Sequence, residues 1–102
     1  MTWVKTLPVS ELAELRLTPF EIEEGVVIVL VREGESVFAL ENRCSHDHSE
    51  LDGGHVYEGM IECPRHGALF DYKTGQVKAM PAVTPIQSYP VEIRGGVVYV
   101  QI

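Results

Sequence analysis

The 102-residue sequence predicts an all-β domain, an antiparallel sandwich or small barrel. Two observations predict it: several short β-branched or aromatic runs, and Gly-bearing turns that separate them. Trp3-Val4-Lys5-Thr6 opens a sheet, and Val9 to Leu15 holds a short helical turn beginning near Ser10. Phe20 and Ile22 alternate with glutamates, as a half-buried strand does. After Gly25, the run Val26–Val31 suits a central strand, and Glu33-Gly34-Glu35 turns the chain into Val37, Phe38 and Leu40. Tyr57-Glu58-Gly59-Met60 is a tight hairpin leading back along Ile61-Glu62. Leu69–Tyr72 and Gln76–Lys78 flank Lys73-Thr74-Gly75, a second hairpin. Val91–Ile93 and Val97–Ile102 flank Arg94-Gly95-Gly96, a third. Pro81, Pro85 and Pro90 fall in a long loop between hairpins.

No repeat, low-complexity tract or linker divides the chain, so residues 1–102 form one domain. Hydrophobic residues make up 45% of it, which suits a globular protein and argues against disorder. The longest apolar run, Val26–Val31, is too short to span a bilayer, and no targeting segment heads the chain. The expected compartment is the cytoplasm, where two cysteines serve as metal ligands or thiols rather than as a disulfide. A net charge of −7 excludes nucleic acid as a natural partner and suits proteins that present Lys and Arg. Asp47, Glu50, Asp52, Glu58 and Glu62 lie between the two cysteines, with no Lys or Arg among them.

The chemistry sits in Cys44-Ser45-His46 and Cys63-Pro64-Arg65-His66, the pattern C-x-H, sixteen residues, C-x-x-H. Each half supplies one thiolate and one imidazole, so each can give one ligand to each atom of a two-metal centre. A [2Fe–2S] cluster with two histidines in place of two cysteines on one iron is the Rieske type. A tetrahedral zinc site is the rival, since two sulfurs and two nitrogens serve zinc as well. Common zinc patterns, however, group cysteines in one half and histidines in the other. The first loop follows strand 37–42. The second follows strand 60–62, where Pro64 stops the ladder and Gly67 permits a tight turn. His48 and His55 receive no role: His48 belongs on the loop surface and His55 in a strand.

Together with Gly53-Gly54 and His66-Gly67-Ala68-Leu69-Phe70-Asp71, these motifs resemble a bacterial Rieske ferredoxin over essentially the whole chain. The resemblance implies one [2Fe–2S] cluster per chain, bound by a part spanning about 43–82 with two ligand loops on hairpin tips. It implies that Cys44 and Cys63 hold the inner iron, and His46 and His66 the outer, solvent-facing iron through which the electron passes. Met80 and Pro81 then match the third loop that shields the cluster. High-potential relatives carry a disulfide between the loops and a serine and tyrosine that donate hydrogen bonds to sulfur. The matching residues here are Ser49 with Arg65, and Ala68 with Phe70, so a low potential is expected.

The function implied is a monomeric electron carrier between a flavin-dependent ferredoxin reductase and the terminal oxygenase of an aromatic-ring dioxygenase system. No phosphate loop, nucleophile–base set or 2-His-1-carboxylate site remains after His46 and His66 are assigned, so no catalysis of its own is expected. The alternatives are a tightly bound small subunit of a larger redox enzyme, such as nitrite reductase or arsenite oxidase, and a redox or iron sensor. Arsenite oxidase calls for an export signal, and nothing in the sequence points specifically to a sensor.

Overall fold

Three antiparallel sheets make up the computed structural model, which describes residues 2–46, 48–65, 67–80, 82 and 84–102. The first sheet pairs β1 (Trp3–Pro8) with β11 (Val97–Gln101), and β11 with β10 (Val91–Arg94). The second runs β2 (Leu17–Glu23), β3 (Val26–Glu33), β4 (Ser36–Glu41) and β9 (Ser88–Tyr89). The third runs β5 (His55–Tyr57), β6 (Met60–Glu62), β7 (Leu69–Asp71) and β8 (Val77–Ala79).

The second sheet is the middle layer: of the run expected to be central, Val26 and Val27 are exposed, but residues 28–31 are buried on both faces. Ile28 and Leu30 enter a core with Val37, Ala39, Val98 and Val100, beneath the first sheet. Val29 and Val31 point the other way, with Leu40, into a core shared with Ile61 and Phe70 of the third sheet. Alternate residues of a strand face opposite sides, so one apolar run lines two cores.

The three hairpins occur where the sequence places them. The last is tighter than expected, since Arg94 belongs to β10 and only Gly95-Gly96 turns. Two differences have local causes. The helical turn is one 3₁₀ turn, Val9–Glu11, closed by Leu12 N–H donating to Val9 O; Ser10 lies inside it and caps nothing. Beyond it, Leu15 N–H donates to Arg32 O, which draws the chain to the end of β3 instead of continuing a helix. The proline-bearing loop also contains β9, a two-residue strand paired with Ala39 and Leu40. Its brevity left no periodic signal.

Candidate metal centre

The two cysteine loops share one backbone. Cys44 N–H donates to Ser49 O at 2.8 Å, and Cys44 O accepts from His48 N–H at 2.8 Å. Cys63 repeats this spacing: its N–H donates to Ala68 O at 2.8 Å, and its carbonyl accepts from Gly67 N–H at 3.2 Å. The fifth residue of each loop is left-handed, His48 at φ 64° and Gly67 at φ 75°. The second loop is the tip of the β6–β7 hairpin. The first leaves the open end of the β3–β4 hairpin and crosses from the second sheet to the third.

Both thiols enter the same core. Cys44 and Cys63 are 0% and 1% exposed and belong to one buried group with Leu51, Ala68, Phe70, Tyr72, Ala82 and Ile86. Neither is in a disulfide. His46 lies on the same loop as Cys44 and is exposed. Two buried thiols and an imidazole on the Cys44 loop supply both donor types, sulfur and nitrogen, that a mixed-ligand [2Fe–2S] cluster takes, so the described residues fit that group. His66 and Pro81 lie outside the described residues, as does Asp47 of the acidic segment. Among the described residues no three His, Cys, Asp or Glu side chains gather round a single ion.

The third loop docks on the first through Ser45 Oγ, which donates to Thr84 O at 2.6 Å. Met80 on this loop stands 78% exposed, while Ala82 and Ile86 enter the core and anchor it. His48 is on the surface as expected, and its Nδ1 accepts from Arg43 Nε at 2.9 Å. His55 is exposed on β5. Of the glycine pair, only Gly54 is sterically demanded, since a Cβ there would overlap the Glu62 carbonyl oxygen; at Gly53 it would sit 3.8 Å from Pro64. That close approach presses the end of the first loop against the entry to the second.

Two features of the site escaped the sequence. Tyr72 is buried in the same core as the cysteines, and its phenol donates to Glu33 Oε2 at 2.8 Å. Burial and that carboxylate push its pKa up to about 12. Asn42 is a buried amide at the root of the first loop. An asparagine just after a strand is an ordinary turn residue by sequence, which hid it.

Residues 2–90 match the model of the Rieske [2Fe-2S] domain. An anthranilate 1,2-dioxygenase ferredoxin subunit of Burkholderia cepacia is 40% identical over 75 residues, which are 74% of this chain and 69% of that one. The ferredoxin of carbazole 1,9a-dioxygenase from Nocardioides aromaticivorans IC177 superposes with a TM-score of 0.92 at 36% identity, covering 98% of this chain and 97% of that one. A chain in the complex of reduced oxygenase and oxidized ferredoxin in carbazole 1,9a-dioxygenase superposes at 0.89 with 28% identity, covering 96% and 91%. Shared loops, buried thiols and whole-chain similarity lead to one conclusion: this chain belongs to the Rieske [2Fe–2S] domain family, with one [2Fe–2S] cluster as its cofactor.

Proposed function

We propose that this chain is a one-electron carrier that accepts from a flavin-dependent reductase and delivers to a terminal oxygenase. Cys44 and Cys63 hold the inner iron in this proposal, and His46 and His66 the outer. The bound cluster supplies a site that gains and loses one electron. The chain does the rest: the apolar core around Cys44 and Cys63 keeps water from the thiolates, and exposed His46 provides the short path to a partner. The single observation that carries this is the burial of both thiols in one core, on loops of matching backbone, with a histidine outside. Oxygenase docking is supported by the ferredoxin–oxygenase complex that the chain resembles.

The 102 residues act as one domain and as a monomer in the cytoplasm. Support for the single domain is the strand β3, which lines both cores. Among the described residues no helix is long and apolar enough to cross a membrane. The ferredoxin names of the more similar relatives favour the carrier over a fixed subunit of a nitrite reductase.

Visible absorption and a reduced-state EPR signal test the cofactor, with Cys44→Ser, Cys63→Ser, His46→Ala and His66→Ala each expected to lose or alter it. A zinc-containing, colourless protein would end the proposal. Delivery is tested by mixing reduced protein with a dioxygenase α-subunit and its substrate, where turnover is expected only with the carrier present.

A further inference from the structure

The second ligand loop is braced by a ladder: β6 and β7 pair, with Ile61 opposite Phe70 and Glu62 opposite Leu69. The first loop has no such ladder, because its two ends lead into different sheets. Ile61 stands two residues before Cys63, and Asn42 two residues before Cys44; Phe70 and Leu51 each stand seven residues after. Leu51 and Phe70 are both fully buried in the core that holds the thiols.

Asn42 therefore occupies the place where the second loop has a paired strand residue. Its side chain makes the corresponding connection. Oδ1 accepts from the backbone N–H of Leu51 at 2.9 Å and of Asp52 at 2.9 Å, and Nδ2 donates to Asp52 Oδ1 at 2.8 Å. Its own N–H donates to Val27 O at 3.3 Å, which ties the amide to β3. Asn42 is 7% exposed, the one buried amide or charged side chain among the described residues. A buried polar group is retained at a cost unless it is satisfied, and this one has partners at both ends.

We infer that Asn42 is a positioning residue: its amide replaces the missing ladder, closes the neck of the first loop, and so sets Cys44 and His46 against the second loop. This rests on the ligand assignment proposed above. A brace that merely stabilises the fold would change melting and leave the electronic structure of the centre alone. A brace that aims the ligands changes both.

The test uses the cluster-loaded protein, with Asn42→Asp, the double variant Asn42→Asp/Asp52→Asn, and Asp52→Ala. The single Asn42→Asp change keeps the acceptor but sets two carboxylates against each other. The double variant restores a donor–acceptor pair with its direction reversed. Reduced-state EPR, midpoint potential and iron release to a chelator are read, with thermal melting as the fold control. Asn42→Asp is expected to shift the EPR signal and release iron roughly 10–100-fold faster, the range seen when groups supporting metal ligands are lost. The double variant should return close to wild type. Asp52→Ala, which removes only the Nδ2 contact, should release iron a few-fold faster, and it carries the test if Asn42→Asp does not fold. Wild-type EPR and iron release in Asn42→Asp, or in Asp52→Ala where that variant stands alone, would overturn the inference. So would a double variant as impaired as the single. The wild-type spectrum judges the ligand assignment; the difference between wild type and variants judges the brace.

Discussion

The Tyr72 phenol donates a 2.8 Å hydrogen bond to Glu33 Oε2, joining the turn after β7 to the far end of β3. Tyr72 also packs against Phe38, ring centroids 5.5 Å apart, and Lys73 Nζ lies 3.7 Å from the other Glu33 oxygen. The third sheet is thereby fastened to the middle one at a point remote in sequence.

This bond makes alkaline stability a readout. The phenol's folded pKa, about 12, exceeds its unfolded value near 10. The contribution is therefore whole below pH 10 and lost as pH climbs through about 12. Tyr89 is raised in the same direction by burial and by Glu41 and Glu23, so it adds to the decline. Tyr72→Phe should cost about 1 kcal/mol at neutral pH, since Glu33 is partly exposed, and flatten part of the fall above pH 10. Melting temperatures across pH 8 to 12 check both; an unchanged slope would show that the bond does not couple to stability.

The potential should be adjustable from two buried positions. Ala68 and Phe70 are fully buried in the core with both cysteines and have no hydroxyl to offer sulfur. Ala68→Ser and Phe70→Tyr should each raise the midpoint by roughly 40 mV. That follows if each new hydrogen bond is about 1 kcal/mol stronger to the reduced state, at about 59 mV per tenfold for one electron. The wild-type midpoint is expected toward the lower end of a window of roughly −150 to +300 mV. Protein-film voltammetry decides the matter, and no shift in either variant would remove the account of the low potential.

Neighbouring glycines should answer differently to alanine. Gly53→Ala meets ordinary contact with Pro64 and should fall within about 0.5 kcal/mol of wild type. Gly54→Ala drives a methyl into the Glu62 carbonyl and should cost about 3 kcal/mol or more, with faster loss of iron. Urea denaturation of the pair compares them directly; equal values would mean that the loops part more easily than their contact implies.

Matching loops with unlike residues at one position give a fourth expectation. Gly67→Ala meets no crowding, the nearest atom being Glu62 Oε2 at 3.9 Å, so its cost is backbone strain alone, about 1 kcal/mol. His48→Gly relieves the same strain in the first loop and should stabilise by about 0.5 kcal/mol, the contact with exposed Arg43 contributing little. Thermal melts of the two variants should move in opposite directions.

Much of this was legible in the chain. The strands announced themselves through β-branched runs and turns, and the ligand pattern was visible because both cysteines and two histidines stand in two short motifs. What stayed hidden depends on partners distant in sequence. Ser10 looked like a helix start, yet the Arg32 carbonyl claims the chain a few residues later. β9 is two residues long and exists only because β4 offers an edge. Met80 and Pro81 mark the third loop in the sequence, but do not reveal that Ala82 and Ile86 anchor it in the core. Asn42 shows its role only once Leu51 and Asp52 are folded beside it.

The middle strand β3 buries Ile28 and Leu30 on one side and Val29 and Val31 on the other. In most sheets a slip of one residue would thrust greasy side chains into water, and that penalty keeps pairing true. Here both sides meet an apolar interior, so a slip that carries Val27 into the place of Ile28 would still fill them with apolar side chains. Correct alignment must then be dictated from its ends, by the reversals at Glu24-Gly25 and Gly34-Glu35. Lengthening either reversal by a residue threatens both interiors at once, although neither turn touches them.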